Sequence, residues 1–401
     1  APHRRDGFST SLRGDPNASI VRPNIGYAIE VRSRVPIGAS LSRYDTLGRT
    51  DFEGGGGESF SGELGSRFIE SGLSTIDRLD YILFFQPTPS VITMRFMLES
   101  GQVVYHTHQP AGLSRSGILL RDIPALANQR NIIVDMFVFG PMSVWVSSYD
   151  LAPASRGSSL TRVAPWNAES PVIAAPLATQ IPPVPGLVDE VVSGQIIIAN
   201  PSDLPRTFRV SVSSSTGQTS AQAGSDQLVA VPARSSRTVA PSDVPDAIYQ
   251  SGVTMIVRDE NGGTAPFAVR ALHSPTTRDQ TSASRVRPQY QNVFADGFIR
   301  NDAITPGVDK SEHTLLLYNP SDTEANGTIT VILLNGTRLV KPLNLQSKIT
   351  GRIDLGRVLG MPTIGPVWFS TIVQTDIPIV ASVFHRDDLA GGIWISGPTV
   401  L

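Results

Sequence analysis

Cysteine is absent from all 401 residues of the chain. The protein therefore has no disulfide staples, including the bridge that spans antibody domains. Charge is also scarce: charged residues make up 17% of the chain, against about 25% in typical domains. The 33 basic residues are balanced by 35 acidic ones. Since a nucleic-acid-binding protein needs a basic face, the composition argues against nucleic acid as a partner.

Long apolar runs and catalytic motifs are missing as well. No run reaches the roughly 18 apolar residues of a membrane-spanning helix. The sequence has no Gly-x-Ser-x-Gly nucleophile turn and no HExxH. The cluster Gly54–Gly57 lacks the Lys-Ser/Thr that follows a phosphate-binding loop. We therefore predict a protein that is not an enzyme, with no catalytic residue, no cofactor and no metal site.

Two histidines are the best metal candidates in the chain. His106 and His108 lie in the segment Tyr105-His-Thr-His-Gln109. In a strand, residues two apart face the same side, so the pair could in principle hold a metal. No third ligand stands nearby at a recognisable spacing, and a solvated strand face is the favoured interpretation.

A short phrase that opens on proline occurs four times, which indicates an internal repeat. The prolines are 105, 125 and 112 residues apart, as the printed numbering shows. The four phrases are Pro36-Ile-Gly-Ala-Ser-Leu-Ser-Arg-Tyr-Asp45, Pro141-Met-Ser-Val-Trp-Val-Ser-Ser-Tyr-Asp150, Pro266-Phe-Ala-Val-Arg-Ala-Leu-His273 and Pro378-Ile-Val-Ala-Ser-Val-Phe-His-Arg-Asp387.

An earlier phrase precedes the last three of these. It is an apolar run that stops at a proline, and proline, Asn, Ser and Asp together are typical of a strand end. The Asn335-Gly336 pair between two alternating segments predicts a hairpin. The three earlier phrases are Tyr81-Ile-Leu-Phe-Phe-Gln-Pro87, Gln195-Ile-Ile-Ile-Ala-Asn-Pro201-Ser-Asp203 and Thr314-Leu-Leu-Leu-Tyr-Asn-Pro320-Ser-Asp322.

Each repeat offers about six or seven short strands in roughly 100 residues, which is the pattern of an immunoglobulin-like β-sandwich. We predict an all-β chain of tandem immunoglobulin-like β-sandwiches with a partial N-terminal unit. Helical turns are expected only within 119–127 and 355–359. The predicted divisions are an N-terminal arm and partial unit at 1–62, a repeat at 63–165, a repeat with a Pro-rich linker at 166–288, and a repeat at 289–401.

The first unit lacks its front half, because the earlier phrase would fall before residue 1. A half sandwich exposes a sheet face and an unpaired edge, which folded proteins avoid. Three explanations stay open: a degenerate cap, strands supplied by a neighbouring subunit, or processing of a longer precursor.

The apolar strand ending in Asn-Pro-Ser-Asp, the Asn-Gly hairpin and the closing Pro-Ile-Val-Ala-Ser strand resemble immunoglobulin-like repeats of exported and cell-surface bacterial proteins. The resemblance is one of layout, covers about residues 80–390 with the fragment at 20–45, and transfers no active-site residue. It implies an extracellular scaffold or adhesion role. A chain that starts at Ala1 agrees with a secreted form whose signal peptide has been removed.

The leading hypothesis is a non-enzymatic extracellular structural protein, a subunit of a surface filament, sheath or coat layer. The alternatives are a carbohydrate- or host-binding adhesion module and a virion or tail decoration protein. Expected partners are further copies or other surface proteins, with a polysaccharide as a further candidate; neither nucleic acid nor a membrane span is expected. The expected assembly contacts lie on two exposed edges and comprise Tyr27, Ile29, Val31, Ile393, Trp394 and Ile395.

Overall fold

The computed structural model describes residues 29, 31, 33–35, 37–44, 55–59, 64–151, 158–166, 172–177, 192–214, 226–244, 252–262, 265–275, 280–281, 288–301, 311–358, 360, 365–387 and 392–396. These residues form antiparallel sheets joined by turns. Helix is limited, in this part of the chain, to single turns at Leu120–Asp122, Pro124–Leu126, Pro241–Asp243 and Leu355–Val358. Three of these turns lie within the two segments where helical turns were expected.

The strands fall into a hairpin and three larger groups, which we name the partial unit and units 1, 2 and 3. The partial unit is β1 (Ser40–Tyr44) paired with β2 (Gly55–Ser59). Unit 1 comprises β3 (Gly65–Leu73), β4 (Arg78–Gln86), β5 (Ile92–Met97), β6 (Val103–His108), β7 (Ser114–Leu119), β8 (Ile132–Asp150) and β9 (Ser158–Val163).

Units 2 and 3 follow in the same order. Unit 2 comprises β10 (Val172–Leu177), β11 (Val192–Asn200), β12 (Arg206–Ser214), β13 (Gln227–Val231), β14 (Ser235–Val239), β15 (Val253–Asp259), β16 (Ala268–Pro275) and β17 (Gln280–Thr281). Unit 3 comprises β18 (Gln289–Asn301), β19 (Ser311–Tyr318), β20 (Ala325–Leu333), β21 (Arg338–Leu345), β22 (Thr350–Asp354), β23 (Gly365–Asp387) and β24 (Gly392–Ser396). Each group lies within one predicted division, and the division limits themselves stay a prediction.

All three units have one topology, which eight strand positions a to h describe in chain order. The first sheet of each unit has the strand order d-c-f-a, and the second sheet has the strand order e-b-g-h. In unit 2, positions f and g are the separate strands β15 and β16; in units 1 and 3 they are the two halves of the long strands β8 and β23. Pro141 and Pro378 stand where these strands pass from one sheet to the other. Proline cannot donate to a ladder, so the phrase that opens on proline starts strand g.

Each unit has its own apolar core between its two sheets. In unit 1, Ile92 and Phe96 from the first sheet pack with Ile82 and Val144 from the second. Units 2 and 3 have equivalent clusters. The two-layer, sandwich-like arrangement and the almost entirely β composition are therefore as expected, whereas the immunoglobulin-like assignment stays a prediction.

The predicted Asn-Gly hairpin is present in unit 3. Gly336 has a positive φ of 87°, the conformation that glycine adopts at no steric cost. The Leu333 amide donates to the Thr337 carbonyl at 2.9 Å and closes the turn between β20 and β21. Within the described residues no helix has the length and apolar character needed to cross a membrane.

Candidate assembly surfaces

The ladder between strands b and g has the same register in all three units. The residue two before the proline of the earlier phrase always pairs with the residue two after the proline of the later phrase. The pairs are Phe85 with Ser143, Ala199 with Ala268, and Tyr318 with Val380. The two sequence phrases therefore mark neighbouring strands, and positions can be compared between units residue by residue.

An asparagine fixes the end of strand b in units 2 and 3. The Asn200 side-chain amide donates to the carbonyls of Leu204, Val231 and Pro232 at 2.9, 3.2 and 3.0 Å. In unit 3 the Asn319 amide donates to three equivalent carbonyls at 2.8, 3.1 and 3.1 Å, those of Thr323, Leu345 and Gln346. Both asparagines are fully buried. The Asn-Pro-Ser-Asp phrase is thus a clamp that ties the b–c turn to the end of strand d.

The first sheet of unit 1 packs on the second sheet of unit 2, a contact that we name joint 1. Strand β3 contacts β11 and β16. Ile69, Met97 and Ile133 of unit 1 form an apolar cluster with Ala199 and Ala268 of unit 2. All five side chains are buried, so the outer faces of these sheets are an internal interface.

Joint 1 also contains polar contacts. The fully buried guanidinium of Arg270 donates to the Ser71 carbonyl of unit 1 at 2.8 Å. Burial lowers the pKa of Arg270. At the rim, the Arg95 guanidinium donates to the Pro201 carbonyl at 2.6 Å and to the Asp135 carboxylate at 3.2 Å. The buried Nε and Nη2 atoms of Arg270 have no hydrogen-bond partner, so a shifted joint that kept Arg270 buried without the Ser71 carbonyl would leave the cation with no partner at all. These contacts therefore favour one relative placement of the two units.

Units 2 and 3 meet in the same way, at joint 2. Strand β10 contacts β19 and β23, and Ala174 clusters with Tyr318 and Val380. The centre is polar: the Thr350 hydroxyl lies 2.9 Å from that of Thr254. The Ser213 hydroxyl donates to the Lys348 carbonyl at 2.8 Å. Each joint therefore packs strand a of one unit on strands b and g of the next.

The partial unit continues this pattern. Its strand β1 lies in the phrase that begins at Pro36, so it corresponds to strand g, and β2 corresponds to strand h. Strand β18, position a of unit 3, contacts β1 and β2. The h strands also meet in a cycle, because β2 contacts β9 and β24, and β17 contacts the same two strands. The four units are thus arranged in a ring, in which the partial unit occupies the place after unit 3.

Two apolar residues of the first repeated phrase and its approach are exposed where their equivalents in the complete units are buried. Ile37 follows its proline directly and is 42% exposed, whereas the equivalent Met142, Phe267 and Ile379 are at most 1% exposed. Val31 lies five residues before the proline and is 46% exposed, whereas the equivalent Met136 and Val373 are fully buried. Among the strands that the structure describes, β1 pairs with β2 alone.

The predicted assembly contacts fall in two places. Tyr27 lies outside the described residues. Ile29 is half-buried and Val31 exposed, and neither belongs to a strand, so the expected edge strand is not formed at these two positions. Their equivalents pair with strands a and c, which have no counterpart beside the described residues of the partial unit. Ile393, Trp394 and Ile395 lie in β24, which pairs with β23 and contacts β2 and β17.

A buried histidine pair crosses the second sheet of unit 3. His313 and His385 are register partners on β19 and β23, and their Nδ1 atoms lie 3.0 Å apart. Burial lowers the pKa of His313 to about 3. Burial, with the neighbouring His313, lowers the pKa of His385 well below its usual value. At neutral pH both rings are therefore uncharged, which suits a packed interior.

His106 and His108 do face the same side of β6, as predicted. Their side is the inner one, since Val104 on that side packs against the core of unit 1. The His108 ring lies 5.6 Å from that of Phe84, and burial lowers its pKa. The solvated face expected for the pair is thus wrong for His108, which is half-buried. Within the described residues no three ligating side chains gather at a metal-binding distance.

No protein-family model matches the chain, and no curated protein matches it in sequence. Among similar solved structures is Thermotoga maritima 1070, at 21% identity and a TM-score of 0.22, covering 25% of this chain and 81% of that one. A tetra-tandem repeat in the extending region of a large adhesion protein has 11% sequence identity and a TM-score of 0.12. The match covers 90% of this chain and 81% of that one. The chicken CNTN1 FN1–FN3 domains have 10% sequence identity and a TM-score of 0.11, and the match covers 84% of this chain and 97% of that one. Likenesses this weak carry no argument about function.

Sequence reasoning missed the residues of both joints. Arg270 stands inside one of the repeated phrases, at the place of Trp145 and Ser382 in the others, and this difference was the available signal. A buried arginine at an otherwise apolar or small position indicates a specific partner surface. Ser213, Thr254 and Thr350 carry no such signal, because small hydroxyl residues are common on exposed strands.

Proposed function

We propose that the chain is a non-enzymatic structural protein, a subunit of an extracellular assembly built by packing of β-sandwich units. One observation carries the proposal: the same sheet-on-sheet contact recurs at joint 1 and joint 2, and strand β18 contacts strands g and h of the partial unit. The chain thus uses its strand faces for packing units against each other.

The chemistry of the joints supports this role. Joint 1 buries apolar side chains and a hydrogen-bonded guanidinium, and joint 2 buries hydroxyl groups in contact with one another. Buried apolar area and fixed hydrogen-bond partners both favour the packed arrangement of the units. A chain of units packed face to face suits a component of a larger structure. The extracellular location is part of the proposal and is supported by the resemblance of the repeat layout to exported and cell-surface proteins.

The experiment is a measurement of mass and shape in solution, by light scattering with negative-stain imaging of the purified 401-residue chain. We expect dimers or larger particles, and we expect these to be lost when residues 1–45 are deleted. A monomer of 42.9 kDa at every concentration would contradict self-assembly and would leave the glycan-binding alternative in front.

A further inference from the structure

The histidine pair of unit 3 lies where three strands of its second sheet meet. His313 of β19 pairs with His385 of β23, and His385 also pairs with Trp394 of β24. Both rings are at most 2% exposed, and their Nδ1 atoms lie 3.0 Å apart. At this distance one Nδ1 atom donates a hydrogen and the other accepts it. The contact therefore needs at least one neutral ring.

The surroundings of the pair favour two neutral rings. The His313 ring lies edge-on to that of Phe369 at a centroid distance of 5.1 Å, and Val383, the next inward residue of β23, belongs to the apolar core. Asp354 of β22 pairs with Thr314 and therefore lies on the outer side of the sheet. Burial lowers the pKa of both histidines, and no carboxylate among the described side chains raises either pKa. A proton on either ring would thus be a charge buried in apolar surroundings, which is costly.

Two imidazoles at this ladder position are particular to unit 3. Counted along the shared b–g register, the equivalent pairs are Asp80 with Ser148 in unit 1 and Gly194 with His273 in unit 2. Asp80 is buried as well, and its carboxylate accepts the Ser74 amide at 2.7 Å. Unit 1 has a hydrogen-bonded carboxylate where unit 3 has two rings that gain charge in acid. The three units should therefore respond differently to a falling pH.

We propose that protonation of the His313–His385 pair opens the end of the second sheet at which β24 pairs with β23, so that unit 3 loosens in mild acid before units 1 and 2. Strand β24 contacts β2 of the partial unit and β17 of unit 2. Opening this end therefore releases contacts where the h strands meet. Joint 2 stays closed, because Tyr318 and Val380 lie five residues away along the same two strands, which is roughly 17 Å in an extended chain.

The pH range follows from the two states of the rings. In the opened end each histidine has its ordinary pKa of 6.5, whereas in the closed end the pKa of His313 is about 3. The closed end is therefore fully stable above pH 6.5, and its stability falls as the pH drops from 6.5 towards 3. At about pH 4.5 the equilibrium constant for opening should exceed its value at about pH 7.5 by up to about 100-fold for each histidine.

Hydrogen exchange measured by mass spectrometry on the 401-residue chain tests this. The two conditions are about pH 7.5 and about pH 4.5, with a correction for the intrinsic pH dependence of exchange. We expect β24 and its paired segment of β23 to open at least about 100-fold more often at the lower pH. The equivalent strands of unit 1, β9 and its paired segment of β8, should change less than about tenfold, and β22 at joint 2 should keep its protection.

Two variants identify the groups responsible. His313→Leu/His385→Leu removes both titratable rings and keeps the position apolar, so β24 of this variant should open equally often at the two pH values. His106 is the matched control, because it is a half-buried histidine of β6 in unit 1. His106→Gln should therefore leave the acid response of β24 unchanged.

Three results would overturn the inference. An equal acid response of β24 and β9 in the unaltered chain would show that the pair does not single out unit 3, and this comparison holds even where the double variant fails to fold. An acid response that persists in a folded double variant would assign it to other groups. Loss of protection in β22 together with β24 would show that unit 3 opens as a whole. The expected results are the same whether or not the chain assembles.

Discussion

The asparagine clamps provide the sharpest test of the repeat at atomic level. Replacing Asn319 by Ala removes a side-chain amide that serves three carbonyls. A net hydrogen bond contributes about 1 kcal/mol, and a buried group left without a partner costs about 1–3 kcal/mol. Because the amide has two N–H groups, the expected loss is roughly 2–4 kcal/mol. Asn200→Ala should lose the same amount in unit 2, since its three contacts are equivalent.

Hydrogen exchange measured by mass spectrometry locates the effect. Asn319→Ala should speed exchange in β21 and β22 of unit 3 by roughly 30- to 700-fold, since each 1.4 kcal/mol corresponds to a factor of ten. Asn319→Asp should be at least as damaging, because a carboxylate keeps the acceptor used by the Ser321 amide and has no N–H to donate. Asn326→Ala is the control: Asn326 is exposed and bonded to Asn344, so about 0.5 kcal/mol is expected. Equal effects of the control and of Asn319→Ala would refute the clamp.

Two further predictions concern unit 3 and joint 1. Below pH 6.5 the histidines of the unfolded chain bind protons, whereas His313 and His385 stay neutral in the folded chain, so stability is full above pH 6.5 and falls as the pH drops towards 3. Urea titrations should show that the unfolding free energy falls by up to about 1.4 kcal/mol per pH unit for each histidine. If a double replacement by Leu left this pH dependence unchanged, the buried histidine pair would not be its cause. Gly72→Ala should destabilise the chain by about 1 kcal/mol more than Gly101→Ala. Both glycines have positive φ, but a Cβ at Gly72 would displace the terminal Cδ1 methyl of the buried Ile197, whereas a Cβ at Gly101 would face open space. Equal changes in the unfolding free energy for the two variants would show that joint 1 does not constrain this position.

The sequence was informative where the structure repeats local geometry. A proline that cannot donate fixes the start of strand g, and an Asn-Pro pair fixes the end of strand b, so both strands could be predicted from short phrases. The b–g pairing follows the same phrases, as Phe85 with Ser143 and Tyr318 with Val380 show. Local rules of this kind need no knowledge of distant residues.

The joints could not be predicted in the same way. Whether Ile197 or Leu316 faces water or a neighbour depends on the packing of a second unit, which strand periodicity does not report. Both lie on outer faces and are nearly or fully buried, whereas the equivalent Leu83 is half-buried. The expected strand at Ile29 and Val31 fails for a related reason: a strand needs neighbours to pair with, and the sequence of one segment does not show whether they exist.

The two joints show how the repeat became a specific structure. At the centre of joint 1, Met97 lies opposite Ile133; at the corresponding ladder position of joint 2, Ser213 lies opposite Thr254. The ladder register is shared, and the outer faces differ, one apolar and one hydroxyl-bearing. A hydroxyl pair placed against the apolar face of unit 2 would be buried without partners and would cost several kcal/mol. Each outer face therefore matches its own neighbour: the apolar face of unit 1 packs on Ala199 and Ala268, and the hydroxyl-bearing face of unit 2 packs on Thr350.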